Sequence, residues 1–294
     1  MTAQRNGSST RTLVLGGGGA VGVGWQTGLI VGLRAGGVDL AKAEAIVGTS
    51  AGALVGALLA SGRDVTEALA SLARLGQHID PRNLAAGNAA FLSAVRQASH
   101  GTDPRQALSA IGHAARQAQT VGEEAYLGWF ETLAATPWPA SFHCPAVDAD
   151  TGELVVWNAG SGVPLRAAVA ASCALPMLFP VVTIAGRRYM DGGLLSRLNA
   201  TVAPQTDVVV VLSCHPLAPG APESRPLAAF ATPPHAELAA LREKSEVVAI
   251  EAELSEIGLT EKLMMDGTLA LKAHQSGQRQ ATKAAEVLRA FRDA

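Results

Sequence analysis

The sequence is short of three things: charge of one sign, cysteine, and long uninterrupted apolar runs. Its 23 Lys and Arg stand against 25 Asp and Glu, a formal net charge of −2. That balance supplies no basic footprint for nucleic acid and no polybasic anchor for an anionic membrane. The three cysteines, Cys144, Cys173 and Cys214, cannot all pair and match no zinc spacing. They suit a reduced, cytoplasmic protein. His143 beside Cys144 and His215 beside Cys214 raise the alternative of a metal site. Coordination needs ligands that converge in a fixed geometry, and small residues at strand ends explain these pairs as well. The longest apolar run, Ala45 to Ala60, is broken by Gly, Thr and Ser. It falls short of the roughly 20 apolar residues that a spanning helix needs. The opening MTAQRNGSSTR is polar and holds no apolar signal core. What remains is material for a core: 48% hydrophobic against 16% charged residues, which argues against disorder. A length of 294 residues allows one large domain or two small ones.

The order of patterns then sets the fold class. Residues 1–10 read as a flexible tail. Arg11 to Leu15 is a short apolar run that ends in four glycines, the mark of a buried strand meeting a turn. Trp25, Leu29, Ile30 and Leu33 give Ala20 to Arg34 a helical period. A second strand spans Ala45 to Thr49, and a helix follows from Ala51 to Ala60. Strand and helix alternate, so the expected fold is α/β, a mostly parallel sheet with helices on both faces. Residues 62–140 carry four helical stretches rich in Ala and Gln (Val65–Leu75, Ala89–Ala98, Pro104–Gln119 and Glu123–Ala135) and read as a helical cap. From residue 141 the strand chemistry returns. Phe142–Val147 and Glu153–Asn158 flank a hairpin turn at Asp148 to Gly152. Pro164–Ser172 is a helix with Pro in its first turn. Val181–Ile184 and Arg188–Met190 flank Ala185-Gly186, and Asp207–Ser213 is a buried strand. Residues 216–234 read as a Pro-rich loop. His235–Gly258, Glu261–Ala273 and Ser276–Ala294 read as helices. No internal repeat is evident.

Two glycine-rich stretches carry the chemistry. The first, Gly16 to Gly22, contains G-x-G-x-x-G as Gly17, Gly19 and Gly22, after a strand and before a helix. That is a dinucleotide fingerprint on its face, and an NAD(P)-linked oxidoreductase is one reading. The fingerprint also wants an acidic residue at the end of the next strand. That strand ends instead in Gly48-Thr49-Ser50. The same glycine loop, beside a helix N-terminus, can present backbone N–H groups to an oxyanion. The second stretch, Gly48-Thr49-Ser50-Ala51-Gly52, is a G-x-S-x-G pattern between strand and helix. It suits a tight elbow that holds a serine hydroxyl clear of the backbone. The alternative is that Ser50 merely caps the following helix.

A serine nucleophile needs a base. Asp191 followed by His215 would give the order of a Ser-Asp-His triad, but Ser50 comes too early for the α/β-hydrolase arrangement. Asp191 could itself be the base, in Asp191-Gly192-Gly193. An Asp-Gly hairpin turn is the other explanation of that triplet, although no clear strand follows it.

Taken in order, Gly17 to Gly22, Gly48 to Gly52, Ala171-Ser172-Cys173-Ala174-Leu175-Pro176 and Asp191-Gly192-Gly193 resemble the patatin-like phospholipases, over about Leu13 to Asn199. The resemblance implies a three-layer α/β/α domain, here residues 11–215; residues 216–294, outside the resemblance, are expected to pack on the same domain as a Pro-rich loop and C-terminal helices. It implies a Ser50–Asp191 dyad without histidine, and oxyanion-hole amides from Gly17, Gly18 and Gly19. Gly22, Gly48, Gly52, Gly192 and Gly193 would shape the motifs. Many members carry Arg where this chain has Val21, so a side-chain contribution there is missing. The expected function is hydrolysis of a lipid carboxylic ester, phospholipase A-like or lysophospholipase-like, with no cofactor and no metal. The partner is a lipid ester substrate, met in the cytoplasm or by transient contact with a membrane surface. A catalytically silent lipid-binding protein of the same fold is a further alternative.

Overall fold

A computed structural model describes residues 9–76, 81–99, 103–219, 231–254, 263–288 and 291. Its centre is an eight-stranded sheet in the order β5-β6-β3-β2-β1-β7-β8, with β4 also paired to β3. The strands are β1 (Arg11–Leu15), β2 (Ala45–Gly48), β3 (Phe142–Asp148), β4 (Leu154–Trp157), β5 (Val182–Ile184), β6 (Arg187–Asp191), β7 (Val208–Ser213) and β8 (Glu246–Glu251). The run β3-β2-β1-β7-β8 is parallel, whereas β4 and β6 run antiparallel to β3.

Continuous apolar strands need cover on both faces. Here Leu13, Leu15, Val210 and Leu212 face a core shared with α1 (Gly19–Ala35), α2 (Ala51–Ala60) and α9 (Ala270–Val287). Val14, Val47, Val209 and Val211 face the other way, against Leu198 and Leu238 of α8 (Pro234–Arg242). The expected helical stretch 62–140 contains α3 (Glu67–Gly76), α4 (Pro81–Ala98), α5 (Pro104–Ala115) and α6 (Glu123–Gly128), and no strand among its described residues. Ala68 of α3 and Tyr126 of α6 join the first core. Phe91 and Val95 of α4, with Leu108 and Ile111 of α5, form a separate cluster over Val147 of β3 and Met190 of β6. The helix Leu165–Ser172, α7, follows Pro164, which stands at its N-cap and not inside its first turn.

Two expectations for the C-terminal part need correction. Residues 235–258 are not one helix. The helix α8 stops at Arg242, and Glu246–Glu251 forms β8, parallel to β7 along its whole length. Val247, Val248 and Ile250 supply the β-branched character that suits a pleated surface. Likewise Glu261–Ala273 and Ser276–Ala294 are not two helices: α9 runs unbroken from Ala270 to Val287, after a short turn at Gly267–Leu269. Residues 255–262, 289, 290 and 292–294 lie outside the described residues.

Glycines let α1 and α9 touch backbone to backbone. A methyl group on Gly24 or Gly28 would overlap the carbonyl of Ala270 or His274, and one on Gly277 would overlap the carbonyl of Trp25. Each mid-helix glycine costs about 0.8–1 kcal/mol of helix propensity. The close approach, which leaves no room for a Cβ, offsets that cost. Trp25 completes the contact, its indole N–H donating to Gln280 Oε1 at 2.7 Å.

Candidate active site

Strand lengths bring the two motif residues together. Phe142 and His143 of β3 pair with β2, and its later residues, Ala146 to Asp148, pair with β6. Since β2 is parallel and β6 antiparallel to β3, the two run toward each other. Their ends, Gly48 and Asp191, meet beside the middle of β3. There Ser50 Oγ donates to Asp191 Oδ2 at 2.8 Å.

Ser50 stands between β2 and α2 with φ 52° and ψ −117°, a backbone that non-glycine residues rarely adopt. Its side chain makes no helix-capping bond, so the capping alternative fails. Strain of this kind persists only where the surroundings over-determine it. Gly52 is part of that: a Cβ there would overlap the Leu15 carbonyl. Two residues of α7 and its end also brace the elbow. Ser50 N–H donates to Ser172 Oγ at 3.1 Å, and the Cys173 thiol donates to the Ser50 carbonyl at 3.0 Å. These roles were not visible from Ser172 and Cys173 as members of a motif.

Asp191 ends β6 and is 4% exposed. It opens a 3-10 turn at Gly192–Leu194 instead of a hairpin, and Gly193 N–H donates to its Oδ1 at 2.7 Å. Gly192 lies so close to β3 that a Cβ would come within 2.5 Å of the Pro145 carbonyl. Burial pushes the Asp191 carboxyl up to about 7, against the pull of the Gly193 amide, the Ser50 hydroxyl and the Arg197 charge. At neutral pH a large share is therefore ionised and able to accept a proton. The His215 ring lies against the Arg197 guanidinium, 2.6 Å from Nη1 at Nδ1, while Ser50 is bonded to the carboxylate.

The glycine loop lies directly over Ser50: a Cβ on Gly17 would be 3.5 Å from Ser50 Cβ. Its amides are not equivalent. Gly17 N–H already donates to the Arg197 carbonyl at 2.8 Å, which removes it from the three expected oxyanion donors in this geometry. Gly18 and Gly19 stand at the N-terminus of α1, and their N–H groups meet no protein acceptor among the described residues. Gly22 N–H closes the first turn onto the Gly18 carbonyl at 2.7 Å. Val21 is fully buried, with its N–H on the Met264 carbonyl at 3.0 Å. That segment also brings Met265 Sδ against Gly19, where a Cβ would lie 2.6 Å from it.

Cys144 and Cys214 are buried in the core, and burial pushes the Cys144 thiol up to about 12 and Cys214 further still. Among the described residues no three His, Cys, Asp or Glu side chains converge to hold a metal ion. Nor is any helix there long and apolar enough to cross a membrane.

A family model, patatin-like phospholipase, matches residues 13–204. The chain belongs to the patatin-like phospholipase family. Uncharacterised NTE family proteins of Mycobacterium tuberculosis and Mycobacterium bovis are each 29% identical over 200 residues, 68% of this chain. That stretch covers only 29% of either relative. Among solved structures, VipD from Legionella pneumophila aligns over 95% of this chain and 67% of its own, at 15% identity and a TM-score of 0.41. The type III effector ExoU aligns over 94% of this chain and 53% of its own, at 15% identity and a TM-score of 0.34. The patatin-like blocks recognised in the sequence all fall inside the matched residues.

Proposed function

We propose that the protein is a serine lipid acyl hydrolase that cleaves carboxylic esters of phospholipids or lysophospholipids through a Ser50–Asp191 dyad. The observation that carries this reading is the 2.8 Å bond from a strained, elbow-borne Ser50 hydroxyl to a buried carboxylate, within a patatin-like fold. Asp191 takes the proton as Ser50 Oγ attacks the ester carbonyl. The negative charge then moves to the carbonyl oxygen, where the Gly18 and Gly19 amides and the positive end of α1 favour it. Collapse of the intermediate expels the alcohol portion, which receives the proton from Asp191. The acyl group remains on Ser50. Water, deprotonated by Asp191, attacks that ester and releases the fatty acid, and Ser50 recovers its proton. Neither half-reaction uses a metal or cofactor. The lipid is met at a membrane surface in transient contact.

The test is hydrolysis of a p-nitrophenyl acyl ester, then of phospholipid, lysophospholipid and triacylglycerol, by wild type, Ser50→Ala and Asp191→Asn. Both variants should fold and lose activity, and a fluorophosphonate probe should label Ser50 in wild type alone among wild type and Ser50→Ala. Retained activity in Asp191→Asn with loss in His215→Ala would replace the dyad with a triad. Failure of the probe to label Ser50 would favour a silent lipid-binding protein.

A further inference from the structure

We infer that Asn199 is a positioning residue for the dyad, holding the residue before the nucleophile and the residue after the base in one register. The inference rests on the Ser50–Asp191 reading above. Asn199 Nδ2 lies 3.1 Å from Thr49 Oγ1, 3.1 Å from the Gly192 carbonyl and 2.8 Å from the Ser196 carbonyl. Thr49 precedes Ser50, and Gly192 follows Asp191. One buried amide therefore spans both catalytic loops, whose dyad residues stand 141 positions apart in the chain.

The chemistry of the contact selects this side chain. Two of the three neighbours are carbonyl oxygens, which only accept, so the NH2 end of the amide must face them. The Thr49 hydroxyl donates its own proton to the Leu198 carbonyl at 3.2 Å, leaving its lone pairs to Asn199. A carboxylate in place of the amide would set acceptor against acceptor. The backbone agrees: Asn199 has φ 50° and ψ 36°, the left-handed region that asparagine tolerates better than most residues. The loop is in turn anchored by α8, which packs on the same face of the sheet as Leu198 and Ala200. The buried Glu237 carboxylate of α8 takes the Ser196 hydroxyl and the amides of Ala200 and Thr201.

Because Asn199 touches neither reacting atom, its loss should act through geometry. A misplacement of 1 Å at a reacting pair costs about 100-fold in rate. The experiment compares Asn199→Gly, which keeps the left-handed backbone and removes the amide, with Thr49→Val, which keeps the shape and removes the hydroxyl. Turnover of the p-nitrophenyl ester is expressed per Ser50 labelled to completion by a fluorophosphonate, and KM and the thermal midpoint are measured alongside. The expected result is a fall of about 10- to 100-fold in kcat per labelled site in each single variant, with KM within about twofold. The double variant should be no worse than the poorer single one, since both break the same link. An unchanged kcat per labelled site in a folded Asn199→Gly, or a raised KM with kcat intact, overturns the inference. If Asn199→Gly does not fold, Thr49→Val decides by the same criterion. Ser50→Ala and Asp191→Asn separate the two failures. Activity retained in these rejects the dyad itself. Inactivity in both, with full kcat in Asn199→Gly, rejects the positioning role alone.

Discussion

Asp191→Asn should be inactive and, at alkaline pH, more stable than wild type. The wild-type carboxyl titrates at about 7 in the fold, chiefly through burial, against an ordinary value of 3.8. Between those values the folded chain holds a proton that the unfolded chain has released. Wild-type stability therefore falls as pH rises through this window, by about 1.4 kcal/mol per pH unit, and levels off above the folded value. Asparagine has nearly the shape of the neutral carboxyl, and its Oδ1 can accept the Gly193 amide, but it does not titrate. All other groups titrate alike in both proteins and cancel in the difference. The advantage of the variant should therefore widen by about 3 kcal/mol between pH 5 and pH 8. Urea unfolding at both pH values, followed by tryptophan fluorescence, measures it, with ester hydrolysis assayed on the same preparations. A gap equal at pH 5 and pH 8, or one that widens toward acid, would refute the buried-carboxylate argument. The expected result is a site that sacrifices stability to keep a base of useful strength.

The same titration predicts that kcat/KM rises with pH and levels above about 7, falling about tenfold per unit below it. A profile flat from pH 5 to 8 would place the base elsewhere. Gly52→Ala should disrupt the elbow, since its methyl group meets the Leu15 carbonyl, and circular dichroism with activity should show both fold and turnover impaired. Gly28→Ala should force α1 from α9 and lower stability by about 1–3 kcal/mol in urea unfolding, the usual cost of overpacking. Dialysis against EDTA should leave hydrolysis unchanged, and a metal-dependent rate would reject the mechanism.

What was legible in the sequence follows from where the backbone itself constrains residue choice. The Gly16–Gly22 loop, the Gly48–Gly52 elbow and Asp191-Gly192-Gly193 announce themselves because close approaches there exclude a Cβ. The alternation of β1, α1, β2 and α2 was readable because each apolar run is short and ends in a turn. The β8 strand was not, because Glu246 and Glu251 bracket an apolar run that fits either period. The bonds from Ser172 and Asn199 were out of reach for another reason: they join residues 122 and 150 positions apart, and only the fold makes them neighbours. The loss of Gly17 as an oxyanion donor likewise depends on the distant carbonyl of Arg197. Local geometry could be inferred from local sequence; of the partnerships across the sheet, only Ser50 with Asp191 was expected, and that through the family resemblance.

The family match stops at residue 204, yet β7 begins at Val208 and pairs with β1 along its full length. A fragment cut where the resemblance ends would turn β1 from an interior strand into a bare edge. Its unpaired N–H and C=O groups would sit beside valines and leucines stripped of cover, a template for pairing with other chains. It would also lose Leu212, whose carbonyl receives the Gly16 amide at the root of the glycine loop, and the whole of α9. The segment that the family model matches is thus not the folding unit. Any truncated or fused form meant to hydrolyse lipid has to carry the chain through α9, or it will aggregate before its active site can be assayed.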